Sequence, residues 1–255
     1  MNIRVMTSNI RFEHEGDGQN NWPNRRNLWK KIIEEKEIEL LGTQEGRRPQ
    51  LNNANEILSH LEIVDSHRDW IPERMYPCIF INNNKINVIK SGDFWLSETP
   101  GVAGSKSFNS SFPRLCTWAL IKKDSFYFYV FNCHLDHMLP ETRNAQSKVL
   151  TEQMKKINEN NYPIILMGDF NESPSESVRK NINQKFELTD TFENSGIQEQ
   201  GTHHKFSGNN KETSRIDWIL ISNHFECQEF EICKNKEGDH YPSDHFPIFA
   251  KLAIK

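Results

Sequence analysis

The 255-residue sequence has no uninterrupted apolar run approaching the ~18 residues that a membrane span requires. No membrane-spanning helix is therefore expected. Its opening, "MNIRVMTSNI", has neither a basic start nor an apolar stretch of the kind that directs secretion, and reads instead as a strand. Cysteine is sparse and unpaired in pattern: Cys78, Cys116, Cys133, Cys227 and Cys233 are odd in number and contain no CxxC. A disulfide framework and a zinc knuckle are both disfavoured, and the expected compartment is a reducing cytoplasm. Charge of one sign is also lacking. A formal net charge of -4 gives no overall basic footprint for duplex nucleic acid, although a local groove could hide within such a total. No Pro/Gly/Ser-rich linker, composition shift or internal repeat divides the chain, so one domain over residues 1–255 is expected.

What the sequence does contain is strands. "IRVMTSN", "IELLGTQ", "CIFINN", "INVIKSGDFWL", "LCTWALIK", "SFYFYVFNCHL", "PIILMGDFN", "RIDWILIS" and "FPIFAKLAI" are β-branched or aromatic and end at Gly, Pro, Asn or Asp. Segments 115–122 and 125–134 form an expected hairpin around "KKDS". Helical spacing appears after Asn24, as a cap, with Leu28, Trp29, Ile32 and Ile33. It recurs after Pro140, with Ala145, Val149, Leu150, Met154 and Ile157 on one stripe. This is no clean βαβ repeat, so mixed or antiparallel sheets with helices outside are predicted. Stretches 14–21, 103–112 and 207–214 read as surface loops.

The run Ile164–Met167 reads as a strand buried on both faces. It breaks at Gly168 to deliver Asp169 and Asn171 before Pro174. A turn would place Asp and Asn after Gly without any chemistry. Other strands end in the same manner, however: Asn9, Glu45, and His134 with Asp136. Asp217 lies among apolar neighbours in "RIDWIL", and Asp244–His245 precede the last strand. Each taken singly has a structural explanation as a turn or surface residue, but a buried carboxylate such as Asp217 needs a partner. Together they place polar groups where sheet proteins gather ligands. Hard oxygen donors (Glu45, Asp244 and the Asn9 amide) suit Mg²⁺, with Mn²⁺ as a substitute. Two imidazoles and an Asp–Asn pair could handle an oxyanion and a water, which is the equipment for metal-assisted phosphoester hydrolysis. The "HLDH" spacing of His134 and His137 offers a competing zinc reading, with no second ligand pair to support it.

In order along residues 7–248, "TSNIR", "GTQE", "FWLSETP", "PRLCTWA", "NCHLDH", "MGDFN", "RIDWIL" and "YPSDHFPI" resemble the endonuclease/exonuclease/phosphatase superfamily of deoxyribonuclease-, sphingomyelinase- and deadenylase-like hydrolases. The resemblance implies an α/β (α+β) fold, a four-layer αββα sandwich of two mixed sheets face to face. It implies Glu45 as the main Mg²⁺ ligand with Asn9 beside it and Asp244 near or on the metal. Asp169 would orient or activate water, and Asn171 would hold that water or a phosphate oxygen. His134 and His245 would contact the phosphate, and Asp217 would fix His245, brought close by neighbouring strands. Arg114 is a candidate phosphate contact, and Trp22, Arg68 and Trp70 a candidate stacking rim. A histidine at 134, where apurinic-site endonucleases carry tyrosine, and Arg11, where they carry an acid, argue against abasic-site repair. The pattern is nearest a bacterial branch close to deadenylases and nocturnin.

The expected partner is a phosphoester substrate, nucleic acid or small phosphorylated molecule, with neither membrane nor obligate protein partner. Hydrolysis of a phosphodiester is the leading expectation. The alternatives are a phosphomonoesterase on a small nucleotide, dinucleotide or inositol-type substrate, and an inactive binding module, against which the complete polar set argues.

Overall fold

The computed structural model describes residues 1–211 and 213–255. In chain order the elements begin with β1 (Asn2–Asn9), α1 (Trp22–Glu35), β2 (Leu40–Gly46), α2 (Arg48–Ile57), β3 (Glu62–Ile63) and β4 (Tyr76–Ile81). There follow β5 (Asn87–Trp95), β6 (Leu115–Lys123), β7 (Phe126–His134), α3 (Pro140–Ile157) and β8 (Ile164–Asp169). The last are α4 (Ser177–Lys185), β9 (Leu188–Asp190), β10 (Asp217–Ser222), β11 (Phe225–Ile232) and β12 (Ile248–Ile254). One sheet has the order β11-β12-β1-β2-β4-β3 and the other β5-β6-β7-β8-β10-β9.

The two sheets share a pairing pattern that no sequence repeat announces. Each is antiparallel except for one central parallel pair, β1–β2 in the first and β7–β8 in the second. The strands of a parallel pair end at the same edge. β1 and β2 therefore deliver Asn9 and Glu45 together, and β7 and β8 deliver His134 opposite Asp169.

Period-two alternation supplies three apolar layers. On β8, Ile165 and Met167 face the other sheet, in a core shared with Val5, Ile79, Val130 and Ile248. Ile164 and Leu166 face outward, against Leu150 and Met154 of α3 and Val178 and Ile182 of α4. β8 is thus buried on both faces, as the unbroken apolar run Ile164–Met167 predicts. On the opposite flank, Trp29, Ile32 and Ile33 of α1 cover Met6, Leu41 and Phe80. Each such buried side chain contributes ~1.5–3 kcal/mol relative to exposure. Two facing sheets between helical layers make the expected four-layer sandwich.

Several local expectations need correction. The first helix is capped at Asn21, three residues before Asn24, because Pro23 occupies its first turn. The 14–21 loop contains a 3-10 turn, Glu15–Asn20. In α3 the buried face carries Thr142, Arg143, Gln146, Ser147 and Thr151 beside Leu150 and Met154. It anchors neighbouring loops by polar contacts: Gln146 Oε1 accepts from the Asp136 N–H at 2.8 Å. The 115–134 hairpin forms as expected, turning at Asp124, whose φ is 53°. Within the expected 207–214 loop, residue 212 lies outside the described residues. Among the described residues no helix is long and apolar enough to cross a membrane.

Candidate active site

Left-handed backbone occurs at the ends of three strands that carry the site. β2 pairs irregularly with β4 between Thr43 and Gly46, and inside that bulge Glu45 has φ 69°. The bulge aims its carboxylate past the end of the sheet. Asn171 follows β8 at φ 51° and Arg11 follows β1 at φ 49°. A left-handed backbone is costly for such residues and persists only where its surroundings enforce it. Gly168 has φ 147°, and a Cβ there would lie 2.1 Å from the Cys133 carbonyl oxygen. Only glycine lets β8 approach β7 closely enough to set Asp169 against His134.

One cavity of ≈ 240 Å³ gathers nearly all the candidates: Glu45, Arg114, His134, Asp169, Asn171, Asp244 and His245 line it. Asp169 is its hub. It is buried, its Oδ2 accepts from Asn9 Nδ2 at 2.9 Å, and its Oδ1 accepts from the Asn171 backbone N–H at 2.9 Å. The turn and the site are thus the same structure. Burial, reinforced by the charge of Asp217, raises the Asp169 carboxyl to about 7. Asn9 does not line the cavity. Its Nδ2 bridges Asp169 and Glu45 Oε1, the latter at 3.1 Å, and its Oδ1 accepts from the Arg11 N–H at 3.0 Å.

His245 Nδ1 donates to Asp217 Oδ2 at 2.9 Å, leaving Nε2 to face the cavity, 4.0 Å from Asp169 Oδ2. Burial opposes its charge, but Asp217, with Asp169 and Asp244, outweighs burial and holds the imidazole protonated well above its usual range. The expected pairing is therefore present, but its origin differs from expectation. Asp217 opens β10 in one sheet while His245 precedes β12 in the other, so they meet across the sandwich and not along neighbouring strands.

His134 behaves oppositely. Burial and the Arg114 charge push its pKa well below the usual range, so it is neutral. Arg114 Nη1 lies 3.0 and 3.1 Å from the two ring nitrogens of His134, and Nη2 lies 3.2 Å from His137 Nδ1. A guanidinium between these two imidazoles repels a second cation, which removes the zinc reading of "HLDH". Arg114 is buried, its Nε has no hydrogen-bond partner, and it forms no ion pair among the described residues.

The donor set fits a hard cation. Glu45 and Asp169 bring carboxylate oxygens together in one cavity, within 4.8 Å of each other and of a His245 ring nitrogen. Asp244 is held ionised, its pKa lowered despite burial by His203, His245 and Arg11. His203 was not legible in sequence. Its ring lies tilted 4.7 Å from that of His245 and 3.8 Å from Asp244, forming a second cluster with both. Its only mark in the sequence is the His203–His204 pair in a loop. Arg11, clamped by Asp17 at 3.0 Å from two nitrogens, and Arg47 join the rim.

Three other expectations change. Asp136 is fully buried away from the cavity and accepts from Ser111, Met138 and Leu139 N–H groups, closing a loop. Arg68 is buried in a two-bond ion pair with Asp93, and Trp22 is buried with its indole N–H on Asn53. Of the expected stacking rim only Trp70 remains partly exposed.

Residues 6–245 match the model of the Endonuclease/Exonuclease/phosphatase family. A search of curated proteins finds no match. Among solved structures, the chain is similar to a mannosyl-6-phosphatase of Bacteroides thetaiotaomicron VPI-5482, at 28% identity and TM-score 0.90, covering 99% of this chain and 100% of that one. It is similar to an endonuclease/exonuclease/phosphatase of Bacteroides vulgatus at 25% identity and TM-score 0.92, covering 100% of both chains. The human nocturnin catalytic domain, solved with bound sulfate, shares the fold at 19% identity and TM-score 0.77, covering 100% of this chain and 94% of that one. The chain therefore belongs to the endonuclease/exonuclease/phosphatase family and is a phosphoesterase.

Proposed function

We propose that this phosphoesterase is a divalent-metal-dependent phosphomonoesterase that transfers the phosphoryl group of a small molecule directly to water. The observation that carries this reading is Arg114, a buried guanidinium whose partners are a neutral imidazole and His137 and which has no carboxylate in ion-pair contact among the described residues. A buried cation of this kind is stable only if an anion completes it. A terminal phosphoryl group supplies two negative charges, and the ≈ 240 Å³ cavity admits such a group more readily than a polymer backbone. The chain's overall negative charge and the monoesterase named among its structural relatives point the same way.

In this account Glu45 and Asp244 hold Mg²⁺ or Mn²⁺, which would neutralise charge on the phosphoryl and leaving oxygens. Asn9 acts through its hydrogen bonds, keeping Glu45 and Asp169 at a fixed separation, rather than as the direct ligand the resemblance implies. Asp169, raised to about 7, accepts a proton from the attacking water near neutral pH. The side-chain oxygen of Asn171 positions that water, its Nδ2 being fixed on the Leu135 carbonyl at 3.1 Å. Arg114 and His134 grip the non-bridging oxygens. His245, kept protonated by Asp217, donates to phosphate or to the departing oxygen.

A panel of phosphomonoesters and phosphodiesters, assayed for product with Mg²⁺, with Mn²⁺ and with chelator, tests the reading. Metal-dependent release of inorganic phosphate from monoesters, at least tenfold faster than diester cleavage, is expected. Preferential cleavage of diesters would overturn the monoesterase assignment.

A further inference from the structure

A second cavity, of ≈ 500 Å³, adjoins the catalytic one, and Arg47 lines both. Three chain segments contribute residues to both. Arg11 and Phe12 face the catalytic cavity, while Glu13 and Glu15 face its neighbour. Glu45 is followed by Arg48 and Gln50, and Met75 is preceded by Trp70 and Glu73, in the same division. A substrate whose phosphoryl group sits on Arg114 has this second cavity as an adjacent place for the rest of its body.

The wall chemistry selects what that body is. Trp70 is fixed in place, edge-on to Tyr76 at 4.8 Å and under the buried Arg68 guanidinium at 4.8 Å. With Ile71 and Pro72 it gives the cavity one firm apolar side. The remaining side offers carboxylate acceptors at Glu13, Glu15 and Glu73 and guanidinium donors at Arg47 and Arg48. Glu73 and Arg47 are 3.7 Å apart and both reach solvent. Acceptors and donors around one apolar wall match a ring that carries hydroxyls on its edge and C–H groups on its face. Three carboxylates against two guanidiniums leave the cavity with a surplus negative charge, which repels a second phosphate.

We propose that this cavity is the specificity subsite for an uncharged sugar ring, so that the substrate class is the sugar monophosphate and sugar bisphosphates are excluded. The proposal rests on the monoesterase reading above. A nucleoside base could also lie on Trp70, but it brings fewer hydroxyl donors to Glu13, Glu15 and Glu73 than a hexose ring does, and sites built to bond hydroxyls discriminate strongly against analogues lacking them.

The test is steady-state kinetics with Mg²⁺ on four compounds: a hexose 6-phosphate, a hexose 1,6-bisphosphate, a nucleoside 5′-monophosphate and p-nitrophenyl phosphate. The hexose monophosphate should exceed each of the other two biological compounds by about tenfold or more in kcat/KM. Trp70→Ala and Glu73→Gln should each lower the ratio of hexose phosphate to p-nitrophenyl phosphate kcat/KM by about tenfold, mainly through KM. Glu73→Gln changes an exposed side chain, so it reports on the subsite even if Trp70→Ala fails to fold. Glu13→Lys combined with Glu73→Lys should narrow the gap between monophosphate and bisphosphate. If p-nitrophenyl phosphate is hydrolysed but the ratio is unmoved in Glu73→Gln, or the nucleotide is preferred, the sugar subsite is wrong and the monoesterase reading stands. If no monoester is hydrolysed at all, the monoesterase reading itself fails.

Discussion

Asp217→Asn separates the electrostatic role of Asp217 from its packing. Asn keeps the shape and one acceptor but takes away a charge that acts on two groups at once. The first is His245, whose Nδ1 donates to Asp217 Oδ2 at 2.9 Å in a buried site. A hydrogen bond to a charged group contributes ~1.5–3 kcal/mol, so the imidazolium should lose stabilisation of that order and the His245 pKa should fall. The second is Asp169, held at about 7 by burial and then by the Asp217 charge. Removing that negative neighbour favours the ionised form and lowers the pKa of Asp169 as well. The rate rises with pH as Asp169 loses its proton and falls as His245 loses its own. Both limbs of the kcat/KM profile should therefore move toward acid, with the protein still folded. The profile is measured at fixed saturating Mg²⁺ in parent and variant, so that the cation's influence is common to both. Limbs that stay in place, or a basic limb that rises, would refute the linkage. His245→Ala should cost about 10²–10⁴-fold, and adding Asp217→Asn should cost little more, since groups acting as a unit are not additive. Clean additivity would assign Asp217 to the core.

Arg114→Lys should lower kcat/KM by about 10²-fold or more, because a point charge cannot span His134, His137 and a phosphoryl oxygen together; unchanged turnover would remove Arg114 from the site. Gly168→Ala should destabilise the fold by about 3 kcal/mol or more in denaturant titration, since its Cβ would meet the Cys133 carbonyl; a loss under 1 kcal/mol would show that β8 can relax. Asp93→Asn strands the buried Arg68 and should cost about 3–5 kcal/mol. Arg68 and His67 hold the Asp93 carboxyl down to about 2 despite burial, so its contribution is present above pH ~4 and lost as pH falls toward 2. A variant as stable as the parent at neutral pH would contradict this.

Strands buried on both faces were legible because their side chains serve two cores at once, as Ile165 and Ile164 do on β8. β11 is not legible because it is an edge strand, where exposed Glu226 and Glu229 interrupt the apolar residues and a bulge follows Cys227. The acidic and imidazole members of the candidate site could be named from sequence, because each interrupts an apolar run at its end. Their arrangement could not. Which sheet carries Asp217 and which precedes His245 depends on pairings far apart in the chain, and the bulge that turns Glu45 outward leaves no compositional mark. His203, Arg47 and Trp70 lie in loops without periodicity, so only the fold shows which cavity they face. Polar residues on α3 misled the helical reading for a related reason: Gln146 and Thr142 are buried as anchors, which no apolar stripe predicts.

The proposed role of Glu45, carried into the cavity by a strained bulge, is to hold the cation on which phosphoester hydrolysis would depend. It is tested most directly by titrating activity on p-nitrophenyl phosphate against free Mg²⁺ in the parent and in Glu45→Gln. The parent should be silent in excess chelator and recover fully with Mg²⁺. Glu45→Gln should fold as the parent does but need at least about tenfold more metal, since it surrenders the charge while keeping the contact to Asn9. Full parent activity in excess chelator, or overlapping titrations for the two proteins, would contradict it.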